Sequence, residues 1–210
     1  AGFDHRRFTI GFARRFTAYK RPDLLLYDLE KLKRIAEQQG DIQVIFAGKA
    51  HKNDTEGQEL IRKVIQTCKE VNKEGGRLKM VFLKGYDIRL AQHLVSGCDV
   101  WLNNPKRPYE ASGTSGMKAA LNGVPQISTL DGWWVEGHIE DVTGWRIGPN
   151  PKEKGFANDY GPEDEAADLY QALNDKVMPL HYGDRHQWIR MMKHAIAINA
   201  SFFNTYRMVQ

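Results

Sequence analysis

The sequence predicts an α/β protein built on a doubly wound, Rossmann-like parallel sheet. Short β-rich runs alternate with amphipathic helical patterns along most of its 210 residues. Strands joined by helices of this length pair in parallel through right-handed crossovers, which places helices on both faces of the sheet. Charged or glycine-containing segments follow four of the predicted strands. Because the carboxyl ends of parallel strands share one edge, a ligand crevice is expected there.

The strands are predicted from short runs rich in β-branched, aromatic and other apolar residues. In order, they are FTIGFA (8 to 13), IQVIFAG (42 to 48), KMVFLK (79 to 84), DVWLN (99 to 103) and PQIST (125 to 129). The segments ARR, GKAH, GYD and NNPKRP follow the first four of these runs. One crevice is therefore expected to collect the side chains of all four segments.

The helices are predicted where apolar residues recur every three or four positions. They fall near 22 to 39, 55 to 74, 87 to 96, 115 to 122 and 163 to 177, followed by a long terminal helix from about 184 to 208. Between them, GPNPKEKGFANDYGPEDE (148 to 165) is rich in Gly, Pro and charge, which predicts a surface loop. The terminal pattern over 184 to 210 ends without a capping signal, so this helix is expected to be truncated.

Composition indicates a single soluble domain, 1 to 210, with 41% hydrophobic residues available for one core. No apolar stretch approaches the roughly 20 residues needed to span a bilayer, and no signal-peptide pattern opens the chain, which predicts a cytoplasmic protein with no membrane partner. Two cysteines indicate neither a disulfide framework nor a metal cluster. A net charge of +4 with short basic clusters favours small anions over nucleic acid.

The segment EASGTSGMKAALNG (110 to 123) combines an acidic residue, an anion-binding turn and one lysine. Gly113, Thr114, Ser115 and Gly116 precede a helical run whose N-terminus carries partial positive charge, which is typical of a phosphate cradle. Lys118 follows in the first turn, where its amine can reach an aldehyde on the same ligand. This pairing points to pyridoxal phosphate. From the residue types alone, a helix cap followed by a solvated lysine is the alternative.

A second group of candidate residues follows the first predicted strand. Arg14, Arg15 and Lys20 lie within FARRFTAYKR and can place several positive charges where a phosphate would bind. A solvated basic loop is the alternative interpretation of the same residues. His51 and His138 are isolated histidines in predicted loops, and neither is assigned a catalytic role.

These motifs together resemble the α-glucan phosphorylases, the family of glycogen, starch and maltodextrin phosphorylases. EASGTSGMKAALNG resembles their lysine-bearing motif, and the likeness extends in the family's order through TIGFARRFTAYKRPDL, VIFAGKAH, VFLKGYDIRLAQHLVSGCDVWLNNPKRP and ISTLDGWW. The resemblance implies the C-terminal half of a two-Rossmann (GT-B) glycosyltransferase, with the N-terminal domain missing. It also implies a pyridoxal 5′-phosphate cofactor and a possible homodimer of the full-length enzyme.

The implied activity is reversible phosphorolysis, in which inorganic phosphate releases glucose 1-phosphate from an α-1,4-glucan or maltodextrin. Lys118 then anchors the cofactor while the cofactor's 5′-phosphate exchanges a proton with the substrate phosphate. By the same resemblance, Thr114 and Ser115 hold the cofactor phosphate, Lys20 and Arg14 neutralise it, and Tyr86 packs beside the ring. Animal members carry lysine at the position of Arg14, so this chain presents a planar guanidinium there in place of an ammonium.

The substrate contacts are likewise implied by the resemblance. Arg15 binds the substrate phosphate, which makes Arg15 and Lys20 the candidate catalytic residues. Tyr19 lies near the glucosyl unit, and Glu110 accepts a hydrogen bond from a glucose hydroxyl. Ser112 and Gly113 offer backbone donors to the substrate.

Two other functions stay open at this point. Related two-Rossmann enzymes that use sugar nucleotides carry glutamate at the position of Lys118, and a carboxylate there would accept ribose hydroxyls. The amine of Lys118 therefore favours phosphorolysis over nucleotide-sugar transfer. The third hypothesis is a non-catalytic phosphate- or sugar-binding module. It stays open because the missing domain would supply the glucan cleft that catalysis needs. Turnover by the 210 residues alone is expected to be negligible.

Overall fold

The computed structural model describes residues 4–150 and 160–210, which form a six-stranded parallel sheet with helices on both faces. The strands are β1 Phe8–Ala13, β2 Ile42–Ala47, β3 Leu78–Leu83, β4 Val100–Asn103, β5 Gln126–Thr129 and β6 Gly144–Ile147. Their order across the sheet is β3-β2-β1-β4-β5-β6. This order, with a reversal between β1 and β4, is that of a doubly wound Rossmann sheet. The predicted fold class is confirmed.

The centre of the sheet is buried on both faces, as parallel sheets covered by helices require. Every residue of β1 is buried, and β1 pairs with β2 from Phe8 opposite Ile42 to Ala13 opposite Ala47. On its other side β1 pairs with β4, where Ile10 lies opposite Val100. The core therefore extends along both faces of the two central strands.

Nine α-helices connect and flank the strands of the described residues. They are α1 Leu29–Gln39, α2 Thr55–Glu74, α3 Ile88–Gly97, α4 Ser115–Leu121, α5 Trp134–Gly137, α6 Pro162–Ala172, α7 Met178–Gly183, α8 Arg185–His194 and α9 Thr205–Val209. Short 3-10 turns at Ala18–Lys20 and Leu24–Leu26 precede α1, and π-helical segments at Leu173–Val177 and Ala195–Ala200 follow α6 and α8. Aspartate side chains cap four of the helix N-termini.

The helical boundaries differ from the sequence prediction at several points. The helix predicted from residue 22 begins at Leu29, because the Asp28 side chain accepts the Lys31 N–H and caps it there. The loop predicted over 148 to 165 ends early, since Pro162 already begins α6; its residues 151–159 lie outside the described residues. The terminal helix predicted from 184 to 208 is interrupted at Asn204, whose extended backbone and side-chain cap start α9.

Three elements are absent from the prediction: β6, α5 and α7. The sequence of β6, GWRI, contains a glycine and an arginine that weaken the strand pattern, although Trp145 and Ile147 are fully buried. Both cysteines, Cys68 and Cys98, are free and buried. Burial raises the pKa of the Cys68 thiol to about 11 and that of the Cys98 thiol to about 12.

Within the described ranges, every helix is too short or too polar to span a lipid bilayer.

Candidate functional site

The candidate site lies where the strand order reverses, between β1 and β4. In open α/β sheets this reversal leaves a crevice at the carboxyl ends of the two strands, because their following segments diverge to opposite faces. The segment after β1 contains Arg14 to Arg21, and the segment after β4 runs from Asn104 to the start of α4. The two predicted groups of functional residues therefore meet at one edge.

Two ion pairs that share one carboxylate oxygen form the centre of the site. Arg14 Nη2 donates to Glu110 Oε2 at 3.1 Å, and Lys20 Nζ pairs with the same oxygen. The side chains of Arg14 and Lys20 are each 8% exposed, and that of Glu110 is 13% exposed. Two buried cations thus face one anion, which leaves an excess positive charge in a low-dielectric crevice.

Arg14 has donor capacity that the described residues do not use. Its Nε and Nη1 atoms are buried and have no hydrogen-bond partner among those residues. Burial lowers the pKa of Arg14, and the neighbouring Glu110 carboxylate opposes that shift. Because buried polar groups in native proteins are almost always hydrogen-bonded, these two donor atoms indicate a place for an acceptor. The excess positive charge makes an anion the fitting acceptor.

Glu110 is positioned by the turn that follows β5. The Glu110 N–H donates to Asp131 Oδ2 at 2.9 Å, and the Gly132 N–H donates to Asp131 Oδ1 at 3.0 Å. Gly132 adopts a φ of +57°, and a Cβ there would stand 2.3 Å from the Ser112 carbonyl oxygen. The Trp133 N–H donates to that same carbonyl at 2.9 Å. This turn therefore clamps the backbone of residues 110–112.

Lys20 is positioned by the segment after β4, residues 104–108, which we call the strap. The Asn104 side chain donates to the Arg21 carbonyl at 2.6 Å, and the Lys106 N–H donates to the Tyr19 carbonyl at 2.6 Å. The Arg21 guanidinium returns two hydrogen bonds to the carbonyls of Asn104 and Pro105, at 2.8 and 3.0 Å. The strap and the 3-10 turn that carries Lys20 thus form one hydrogen-bonded unit.

A buried ion triad holds this unit against α6. The Glu165 carboxylate pairs with Arg21 through Oε2 and with Arg107 through Oε1, the latter at 3.4 Å from Nη2. The side chain of Glu165 is 5% exposed. Arg107 also donates to the Pro149 carbonyl at 2.9 Å. The sequence prediction missed Glu165, which lies where the predicted loop 148 to 165 overlaps the predicted helix 163 to 177 and which carries no local signal for burial.

Two predicted aromatic residues, Tyr19 and Tyr86, lie near the cations. Lys20 Nζ lies 4.6 Å from the centroid of the Tyr19 ring, within cation–π range. The Tyr86 hydroxyl donates to the Ala13 carbonyl at 3.4 Å, and burial raises its pKa. Tyr86 packs against the buried cluster that contains Ala13 and Ala119. Tyr86 is therefore held at the end of β1.

Helix α4 is packed closely onto the sheet beside this site. A Cβ at Gly116 would stand 1.7 Å from Gln126 Oε1, so a larger residue there would require the buried Gln126 side chain to move. The Ser115 hydroxyl accepts from Trp101 Nε1 at 3.2 Å and donates to Asn103 Oδ1 at 3.4 Å. Ser115 is thus engaged within the protein through its hydroxyl, which leaves its backbone N–H as the group to consider for an anion.

The predicted site residues divide into those that contact one another and those that line the edge. Arg14, Lys20, Glu110 and Tyr19 are in mutual contact, and Gly113 lies beside the Glu110 carboxyl group. Four other predicted residues are exposed on the neighbouring segments, namely Arg15, Ser112, Thr114 and Lys118, and two are partly buried, namely Tyr86 and Ser115. Lys118 lies in the middle of α4, where its N–H donates to the Thr114 carbonyl at 3.0 Å.

His138 belongs to a separate cluster near the start of β6. His138 Nε2 lies 2.7 Å from Glu140 Oε2, and Lys176 Nζ lies 2.6 Å from Glu140 Oε1. Burial opposes ionisation of Glu140, but hydrogen bonds from His138 and Lys176 outweigh it and lower its pKa to about 2. The histidine therefore has a partner in an ion-pair cluster.

The ion pairs of Glu140 are expected to stabilise the protein at neutral pH and to lose this effect in acid. The pKa of Glu140 falls from 4.5 to about 2 on folding, so its stabilising contribution is complete above pH 4.5 and is lost as the pH falls toward 2. We expect the melting temperatures of the wild type and Glu140→Gln to differ above pH 5 and to converge as the pH falls toward 2. Thermal unfolding followed by circular dichroism measures this, with the exposed Glu136→Gln as the control. A difference that is constant with pH would contradict the assignment.

Comparison with known proteins identifies a family that this chain resembles in sequence. The family model described as carbohydrate phosphorylase matches residues 8–144. A maltodextrin phosphorylase of Thermococcus litoralis is 45% identical over 208 residues, which cover 99% of this chain and 24% of that protein. A glycogen phosphorylase of Aquifex aeolicus is 45% identical over 96% of this chain and 29% of its own length. A glycogen phosphorylase of Mycobacterium tuberculosis is 41% identical over 92% of this chain and 22% of its own length. The chain thus spans about a quarter of the length of these relatives.

Proposed function

The chain belongs to the carbohydrate phosphorylase family, and on that premise we propose that it forms the cofactor-binding part of an α-1,4-glucan phosphorylase. In the proposed reaction, an oxygen of inorganic phosphate bonds to C1 of the terminal glucose while the bond from C1 to the glucan oxygen breaks. A proton passes to that glucan oxygen, and glucose 1-phosphate is released. The relatives named as maltodextrin and glycogen phosphorylases support α-glucans as the substrate class.

The observation that carries the proposal is the unsatisfied guanidinium of Arg14. Its buried Nε and Nη1 atoms offer two donors beside the ammonium group of Lys20. A phosphate monoester carries close to two negative charges and three strong acceptor oxygens, so it satisfies these donors and balances the excess charge. The residues present therefore fit a cofactor phosphate, as the family's pyridoxal phosphate would supply.

The residues proposed to hold the cofactor come from both segments at the crevice. Lys118 anchors it, Arg14 and Lys20 bind its phosphate with the backbone of Thr114 and Ser115, and Tyr86 packs beside its ring. When bound, the cofactor supplies a phosphate whose second pKa of about 6 suits proton exchange near neutral pH. Arg15 and Lys20 then hold the substrate phosphate and the cofactor phosphate close together, although these two anions would otherwise repel each other.

Glu110 is proposed to change partners when the anion binds. A phosphate that takes the donors of Arg14 and Lys20 leaves the Glu110 carboxylate able to accept hydrogen bonds from a glucose hydroxyl. Asp131 keeps the backbone of Glu110 in place during this exchange. Arg15 binds the substrate phosphate in this scheme, and Tyr19 with the backbone of Ser112 and Gly113 contacts the glucosyl unit. Homodimer formation and a cytoplasmic location stay predictions.

Reductive labelling of the 210-residue chain tests the proposal. After incubation with pyridoxal phosphate and reduction with borohydride, peptide mass mapping is expected to find a pyridoxyl phosphate label on the peptide that contains Lys118. Added inorganic phosphate is expected to reduce the labelling, and pyridoxal without its phosphate is expected to label less, because Arg14 and Lys20 select the anion.

The controls are two lysine substitutions. Lys118→Gln is expected to remove the label, whereas Lys52→Gln, at an exposed lysine on the segment after β2, is expected to leave it. Labelling spread evenly over exposed lysines, without a preference for Lys118, would overturn the assignment.

A further inference from the structure

Tyr109 is an exposed aromatic residue beside the anion site to which neither the family resemblance nor the proposed reaction gives a role. Its side chain is 62% exposed, and it directly precedes Glu110 in the chain. Single exposed aromatic residues are common on protein surfaces. Tyr109 differs from an ordinary exposed aromatic residue in its ring contact and in its backbone contacts.

The first observation is that Tyr109 forms an aromatic pair at the crevice. Its ring centroid lies 6.3 Å from that of Tyr19, with 44° between the ring planes. Tyr19 in turn contacts Lys20, whose ammonium group binds Glu110. The two rings, the ammonium and the carboxylate therefore form one chain of contacts, which runs from the exposed Tyr109 ring to the buried charged groups.

The second observation is that the backbone carrying Tyr109 is held on both sides. The Tyr109 N–H donates to the Lys106 carbonyl at 3.0 Å, and the strap before it is tied to Arg21 and Glu165. The next residue, Glu110, donates its N–H to Asp131. The ring is thus presented from an ordered backbone, and a ligand that covers it has little loop entropy to overcome.

We propose that Tyr109, paired with Tyr19, forms an apolar platform for the C–H face of a glucosyl ring next to the phosphate-binding cations. This inference rests on the proposed function. A pyranose ring has hydroxyl groups around its rim and C–H groups on its faces, so it suits a surface where aromatic rings adjoin polar groups. The faces of the sugar pack on the tyrosines, and its hydroxyls reach Glu110.

The test compares two ligands that differ by the sugar. The chain saturated with pyridoxal phosphate is titrated by calorimetry with inorganic phosphate and with glucose 1-phosphate. Tyr109→Ala is expected to weaken glucose 1-phosphate binding by about three- to tenfold, the range of a lost aromatic contact. Its affinity for inorganic phosphate is expected to stay that of the wild type. Tyr109→Phe and Tyr109→Trp are expected to retain sugar binding, because each keeps an aromatic face.

The control is Tyr206→Ala, which removes an exposed tyrosine from α9, 76% exposed against 62% for Tyr109, and is expected to change neither affinity. Equal affinity of Tyr109→Ala and the wild type for glucose 1-phosphate would overturn the platform while leaving the anion site intact. If Tyr109→Ala weakened the affinities for both ligands equally, the platform would also be overturned, since that result means a distorted anion site. A wild-type chain that binds neither ligand would overturn the proposed function itself, and the platform with it.

Discussion

Replacing Glu165 with glutamine is expected to lower the free energy of unfolding by about 3–5 kcal/mol, the usual cost of removing one partner from a buried ion pair. Glu165 is the carboxylate that pairs with both Arg21 and Arg107 in the buried triad. A neutral amide leaves the Arg21 guanidinium, 11% exposed, without a compensating charge. The loss is large because water has little access to replace the carboxylate.

Urea unfolding of the wild type and the variant measures this effect. Glu163→Gln is a matched control, since Glu163 lies two residues earlier on the same helix and is exposed. Substitutions at such surface positions usually change stability by no more than about 0.5 kcal/mol. If Glu165→Gln were no less stable than Glu163→Gln, the triad would not be a determinant of stability.

Replacing Arg14 with methionine is expected to weaken pyridoxal phosphate binding by about ten- to a hundredfold. A hydrogen bond to a charged group contributes about 1.5–3 kcal/mol, and each 1.4 kcal/mol is a tenfold change in affinity. Methionine fills much of the same volume without the charge, so packing around the site is largely preserved. Arg14→Lys keeps the charge and is expected to retain much of the affinity.

Titration of the chain with pyridoxal phosphate at fixed ionic strength, followed by absorbance, measures these dissociation constants. Arg89→Met is the control, because it removes an arginine that is exposed at the start of α3. An Arg14→Met variant with wild-type affinity would mean that the buried donors of Arg14 do not contact the cofactor. Circular dichroism confirms that each variant is folded before it is compared.

The local elements were largely predictable because their signals are local. The bounds of β1, 8 to 13, and of α2, 55 to 74, agree with the prediction residue for residue. In α2, Asp54 caps the start and Gly75 ends it, and both are visible as residue types in the sequence. β6 and the interruption at Asn204 were not predicted, since the glycine and arginine of GWRI weaken the strand pattern and the break at Asn204 occupies only a few residues of an otherwise helical pattern.

The candidate residues of the site were also identifiable, but their arrangement was not. The sequence assigns Arg14, Lys20 and Glu110 to two separate segments with separate roles. In the folded protein, Arg14 and Glu110 are 96 residues apart in sequence and share a hydrogen bond. Nothing in the spacing of either segment indicates that these side chains form one buried ion-pair group.

The sequence by itself determined the alternation of strands and helices, and hence the sheet edge at which the charged segments gather. Hydrophobic periodicity and capping residues act over a few neighbouring positions, so they can be recognised directly in the sequence. Only the tertiary structure decided which charges are buried together, namely Glu110 with Arg14 and Lys20, and Glu165 with Arg21 from 144 residues away. Burial and ion pairing across such separations depend on the packing of distant elements, which no local pattern encodes.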